Sequence, residues 1–464
     1  MSSHLDWAEE HFSQCLLGDK RRTQRLVKVA AAMANNPSGS LPDQLVEWAD
    51  LKAAYALFAR EEVTFNAIAT PHWEMVRKRT SGRYLILDDT TELDFGRHRD
   101  IKGLGPTGNG SGLGFLLHNG LMVNADTEEL VGLAGQAIHY REKKPKGRKR
   151  ENSSQIKKRR RESEVWGKVV DAIGKPAEGV QFIHVMDRGA DNFEVYCHML
   201  LQDCDWVVRA SHLKRKIIPE VGKVKMQLDQ YLPHLTPAGS YQLHLRTRPQ
   251  QPERVAKLEV SIGTILMPTP SQMSPWVREL KPRPIPMNVV HVAEVDAPQG
   301  VEPIRWTLFT SLPVSNLNEA WKVIEYYERR WLIEEYHKAL KTGCQVEARQ
   351  LHGKSGLEAI TALLGIQAVR LLQLKSIART APDKPARQVV PQIWIRILQK
   401  IRPKLKCIPE LTIRQFYREV AKLGGFLGRK GDGEPGWITL WRGWEKLNNY
   451  VHGASIALKL ESSH

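Results

Sequence analysis

The spacing of apolar residues changes character along this 464-residue chain, and those changes constrain its fold more than any single motif does. Up to about residue 70, apolar side chains recur three and four positions apart, the period of a helix with one buried face. The pattern predicts helices over 7–16, 21–33 and 43–59, interrupted by the breaker-rich NNPSGSLP. From about residue 83 the apolar residues come in short runs: YLILDD, GFLLHNGLMVNA, ELVGLAGQAIHY, VQFIHVMD and DWVVRAS. The last two alternate with helical stretches, ESEVWGKVVDAIG and NFEVYCHMLLQ, so an α/β core with a mixed five-stranded sheet and flanking helices is expected. Residues 212–300 are proline-rich with short alternating runs, which predicts an antiparallel β insertion ahead of the strand RWTLFTS. A long helix over about 316–341 and a helical C-terminal third follow. The expected division is an all-α unit over 1–70, the α/β unit over 71–375 and a second all-α unit over 376–464.

Charge narrows the partners. Sixty-eight Lys and Arg against 51 Asp and Glu leave +17, which points to a polyanion. Twelve of the basic residues lie between Arg141 and Arg161, against only Glu142 and Glu151. Like charges at that density repel and do not pack, so this stretch is expected to be a solvated loop that binds DNA through phosphates. A second cluster, Lys20, Arg21, Arg22, Arg25 and Lys28, follows Asp19, a residue suited to capping the helix that carries them. The longest apolar stretch, 359–374, is broken by Gln367 and Arg370 and falls short of a bilayer span. The N-terminus has no basic and apolar regions of a secretory signal. A cytoplasmic protein is expected. Five cysteines without a C-x-x-C pair read as buried free thiols, and His118 and His184 read as core residues without partners at ligand spacing.

Three acidic residues stand apart by position. Asp89 closes the strand in LILDDTTEL, Asp187 closes FIHVMD, and Glu334 lies on the long helix in ERRWLIEEYHKALK. Carboxylates at strand ends project into the crevice where α/β sheets place their sites. Three carboxylates suffice for two divalent cations, because Mg²⁺ prefers hard oxygen donors and takes the rest from water and phosphate. Taken singly, each has an ordinary explanation: Asp89 beside Thr90 and Thr91 closes a turn, and Glu334 is an ion-pair partner. On the long helix, Tyr327, Arg330, Glu334, Lys338 and Lys341 are spaced 3, 4, 4 and 3 and share one face. Either they form a surface ladder, or Glu334 holds metal while the other four grip phosphates on both sides.

Four stretches, LGDKRRTQRLV, DDTT, MDRGAD and the Tyr327-Arg330-Glu334-Lys341 series, resemble the IS4-type bacterial transposases, and the likeness extends to the C-terminal LGGF and WITLWRGW segments. The resemblance implies an RNase H-like DDE core in which Asp89, Asp187 and Glu334 bind two Mg²⁺, with Mn²⁺ as a substitute. It also implies cut-and-paste chemistry through a hairpin, acting as a homodimer on transposon ends and target DNA. Trp306 matches the family's base-stacking tryptophan, Arg209 a DNA-contacting arginine, and Arg21, Arg22 and Arg25 its end-recognition helix. The 376–464 unit matches its dimerisation domain. The basic run 141–161 and Leu332, where a relative carries a basic residue, depart from the pattern. Two other classes compete: a non-catalytic DNA-binding inhibitor or domesticated protein, against which the intact acids count, and a stand-alone RNase H-like nuclease, which leaves both helical units unexplained.

Overall fold

A computed structural model of the chain describes residues 4–96, 101–142, 162–245, 253–429 and 431–461; most of the basic run 141–161 lies outside them. Its centre is one twelve-stranded mixed sheet. The strands are β1 (Gly82–Asp94), β2 (Gly105–Thr107), β3 (Gly112–Asn124), β4 (Leu130–His139), β5 (Val180–Met186), β6 (Asp205–Arg209), β7 (Lys216–Pro219), β8 (Met226–Gln227), β9 (Thr236–Leu245), β10 (Arg254–Met267), β11 (Ile285–Val295) and β12 (Arg305–Thr310). The five expected strands are present in the order β4-β3-β1-β5-β6: β4, β3 and β1 run antiparallel, whereas β1–β5 and β5–β6 are parallel. The near-continuous apolar run of β5 follows from this place, since a strand covered on both faces has no solvent side to make polar.

The expected β insertion does not stand apart as a separate layer. Strand β12 pairs antiparallel with β6, and β11, β10 and β9 continue from it, so the insertion extends the same sheet. Backbone groups left open at the edge of β6 are thereby paired, which an exposed edge would not achieve.

The helices depart from the simple reading in three places. The span 43–59 is split into Leu41–Gln44 and Trp48–Phe58, because a Ser40–Asp43 capping box starts a one-turn helix and Leu45 leaves helical geometry at φ −124°, ψ 84°. A further helix, Phe65–Arg77, is capped by the Thr64 side chain. The long helix is interrupted at Arg330: Leu317–Arg329 is followed by Trp331–Lys338, which ends in a π turn, Ala339–Gly343. Asn316 and Asp19 cap their helices through side-chain oxygens, as their residue types favour.

Helix Lys354–Thr380 is long and apolar enough to cross a membrane, and the broken 359–374 stretch lies within it, yet its apolar window is 89% buried inside the protein. Its all-round apolarity is used as a core axis. One hydrophobic cluster joins the N-terminal helices, one face of the sheet and this helix; another fills the opposite face. A third, from Leu374 to Val451, is built by the C-terminal helices Gln392–Ile401, Ile413–Leu423 and Trp437–Glu461. Four of the five cysteines are buried and all are free; Cys407 is exposed.

Candidate active site

Asp89 does not end its strand. Strand β1 runs on to Asp94 paired with β3, and what stops at Asp88↔Met186 is its parallel pairing with β5. Asp89 therefore borders the crevice that opens where β5 leaves. Asp187 directly follows β5 and keeps extended backbone (φ −81°, ψ −169°), one position past the last β1–β5 pair, Asp88↔Met186, which brings it close enough to Asp89 for its charge to be felt there. Alternation puts both carboxylates on the face shared by Leu85, Leu87, Ile183 and Val185. One strand further, Met186↔Val208 places Arg209 next to Asp187, and Arg209 pairs in turn with Leu308 on β12, two residues from Trp306. Asp89, Asp187 and Arg209 thus line up across the sheet, with Trp306 two residues further along β12.

Glu334 reaches this row from the helix above. Arg330 Nη1 donates to Asp89 Oδ2 at 3.2 Å and its Nη2 to Glu334 Oε1 at 2.8 Å, so one guanidinium links two of the three acids. Asp187 Oδ1 accepts from Gly189 N at 2.7 Å. Burial raises the Asp89 carboxyl above its ordinary range; the Asp187 charge adds to the rise, and Arg330 opposes it. Among the described residues no three carboxylate, imidazole or thiol groups converge on one ion as they stand; the positive charge between Asp89 and Glu334 is that of Arg330.

The other members of the helix face spread out because the helix bends. Tyr327 is half-buried, with the Arg330 guanidinium 6.0 Å from its ring centre. Lys338 lies over the ring of Trp331, an exposed indole that helical spacing gives no reason to single out. Lys341 sits in the π turn and pairs with Glu347 at 3.4 Å. Trp306 is half-buried, and its indole N–H has no partner among the described residues. On the N-terminal helix, Arg22 pairs with Glu62 at 2.9 Å and donates to the Leu17 carbonyl, and Arg25 pairs with Asp50, whereas Arg21 is exposed.

Beneath Asp89 the opposite face of β1 carries a buried polar cluster. His184 Nδ1 lies 2.8 Å from Asp88 Oδ2, and His118 Nδ1 lies 2.7 Å from Thr90 Oγ1. Burial works to discharge His184, but the charge and hydrogen bond of Asp88 overcome it and carry its pKa up to about 10. Burial raises Asp88, and His184 together with His118 more than offsets it, holding the carboxyl below its ordinary range. His118 and His184 are core residues, as expected, and their partners, Thr90 and Asp88, come from the neighbouring strand β1. They lie on β3 and β5, on either side of β1, so no local spacing signals them.

Three segments of the chain match known families. Residues 4–63 match the family described as Transposase DNA-binding, 153–367 match Transposase DDE domain, and 366–463 match Transposase Tn5 dimerisation domain. The DDE match contains Asp187, Arg209, Trp306 and Glu334 but begins after Asp89, which strand pairing and the Arg330 hydrogen bonds bring near them. With DNA-binding, DDE and dimerisation segments following one another along it, the chain belongs to the Tn5-like transposases of the IS4 type.

Proposed function

We propose that this chain is a cut-and-paste DNA transposase whose catalytic carboxylates are Asp89, Asp187 and Glu334. The observation that carries the reading is the Arg330 guanidinium shared by Asp89 and Glu334, with Asp187 on the neighbouring strand. The donors are all carboxylate oxygens, the set that suits Mg²⁺ or Mn²⁺, and the Arg330 charge between two of them supports a cation-seeking site. Two Mg²⁺ held there would supply Lewis-acid activation of the attacking oxygen and neutralise charge on the phosphate in an in-line displacement.

The chain's own residues do the rest. Arg330 yields its carboxylates and takes a phosphate oxygen, a bidentate role a guanidinium suits. Lys338, Lys341 and Arg209 grip phosphates along the row, and Tyr327 packs beneath Arg330. Trp306 offers a stacking face to a base turned out of a hairpinned end. Arg21, Arg22 and Arg25 read the transposon end, the latter two by exchanging their acidic partners for phosphates. In sequence, water frees the 3′ end, the 3′-OH closes a hairpin, water reopens it, and the 3′-OH joins target DNA. Residues 1–70 bind the terminal repeats, 71–375 form the RNase H-like catalytic unit, and 376–464 pair two copies so that a homodimer holds both ends. The working place of such an enzyme is the bacterial nucleoid.

The test is Glu334→Gln on a supercoiled plasmid carrying this gene with its flanking DNA. Cleavage in Mg²⁺ is expected to disappear while gel-shift binding persists; cleavage at the wild-type rate refutes the assignment.

A further inference from the structure

Helix Trp331–Lys338 carries Glu334, and Asp89 sits on β1, yet apolar packing by itself allows a helix to slide and roll over a sheet. One buried polar chain removes that freedom. Asn119, on β3, is the cross-strand partner of Asp89 and is fully buried. Its Nδ2 lies 3.1 Å from His337 Nε2, one turn beyond Glu334, and also donates to the Leu117 carbonyl at 3.1 Å. Its Oδ1 accepts from Gln136 Nε2 at 2.6 Å, on β4. Both amide hydrogens and the carbonyl are therefore engaged, and His337 is itself buried. No slip of the helix keeps this set of bonds, and a buried amide left unpaired is costly.

Resting on the site reading above, we propose that Asn119 and His337 are positioning residues that set the gap between the Asp89 and Glu334 carboxylates, and so the affinity for a divalent cation. Neither touches the reacting atoms. The bond requires an unprotonated Nε2 facing Asn119, and His337, sealed between helix and sheet, supplies it. Loss of a bond one step behind metal-holding carboxylates typically weakens metal binding or activity about 10- to 100-fold.

The experiment titrates Mn²⁺ by electron paramagnetic resonance into the full-length protein and its variants, alongside cleavage kinetics on the same plasmid and circular-dichroism melts. Asn119→Ala and His337→Ala are expected to weaken Mn²⁺ binding and lower kcat, each by about tenfold or more, with KM for DNA unchanged at temperatures where both variants are folded. His337→Gln, whose amide reaches to where Nε2 lies, is expected to recover most of the loss. Wild-type Mn²⁺ affinity and kcat in folded Asn119→Ala overturn the proposal, as does a loss that His337→Gln fails to restore. Should Glu334→Gln itself bind Mn²⁺ and cleave normally, the site reading fails instead, whatever Asn119→Ala does.

Discussion

Arg330 and Asp89, 241 positions apart in the chain, meet through a 3.2 Å hydrogen bond, and the same guanidinium holds Glu334 at 2.8 Å. Without cations bound, two carboxylates this close need a positive charge between them, and Arg330 provides it. Arg330→Ala is expected to slow cleavage by about 100-fold or more, the cost of losing one charge-stabilising donor. Mn²⁺ binding is not expected to weaken, because a competitor for the carboxylates is gone. A larger Mn²⁺-induced rise in melting temperature than in the wild type checks this; a smaller rise contradicts it.

Arg349 clasps the N-terminal helices to the turn that follows the Glu334 helix. Its guanidinium donates to the carbonyls of Pro37, Gly39 and Cys344 and to Gln44 Oε1, at 2.7 to 3.0 Å. Arg349→Ala strands those buried acceptors and should cost about 3 kcal/mol in urea unfolding. A change under about 0.5 kcal/mol, the scale of an ordinary surface substitution, contradicts it.

Three histidines make the N-terminal contact acid-sensitive. Burial, with the Arg370 charge, lowers His4 and His11 to about 4; burial and the His11 charge push His72 well below 6.5. His72 Nε2 also accepts from Leu133 N at 3.2 Å on β4, a bond protonation would break. These groups are neutral when folded and gain protons when unfolded, so stability falls as pH drops from about 6.5 toward 4. Each contributes up to about 2 kcal/mol at pH 5 by linkage. Melts at pH 7.5 and 5 should show the loss, and His72→Gln should shrink it; an undiminished loss in that variant counts against the mechanism.

Two helices of the C-terminal unit touch backbone to backbone. A Cβ at Gly443 would lie 1.8 Å from the Val420 carbonyl, and one at Gly424 1.8 Å from that of Thr439. Gly443→Ala should therefore destabilise by about 2–3 kcal/mol through overpacking, despite the better helix propensity of alanine. Chemical denaturation measures it; a gain in stability would show that the helices move apart freely.

The basic run supplies a salt-dependence. Replacing Lys157, Lys158, Arg159, Arg160 and Arg161 with serine should reduce the slope of log affinity against log salt, by about 0.9 for each phosphate no longer neutralised. An unchanged slope means that these charges solubilise without touching DNA.

Much of the fold was legible because periodicity is local: the helical N-terminus, the strand runs of the core and the alternating runs of the insertion each carry their own spacing. Breaks in helices were less so. The break near Leu45 follows the local Ser40–Asp43 capping box, whereas no residue around Arg330 signals the interruption there. Asp89, Asp187 and Glu334 stand out by residue type and place on elements, and strand register together with Arg330 brings them to one face. The Asp88–His184 pair and the Asn119–His337–Gln136 chain were not legible, since each joins residues on separate strands and helices with no spacing between them to read.

Residue order by itself determined the type of most segments, where basic charge collects and which acids stand out by position, because these depend on side chains a few positions apart. Tertiary structure alone decided that the insertion extends the sheet, that one guanidinium holds two distant acids, and that an apolar helix long enough for a bilayer serves as a core axis. Those outcomes rest on contacts between residues far apart in the chain, and such contacts are chosen by the joint burial of many surfaces at once.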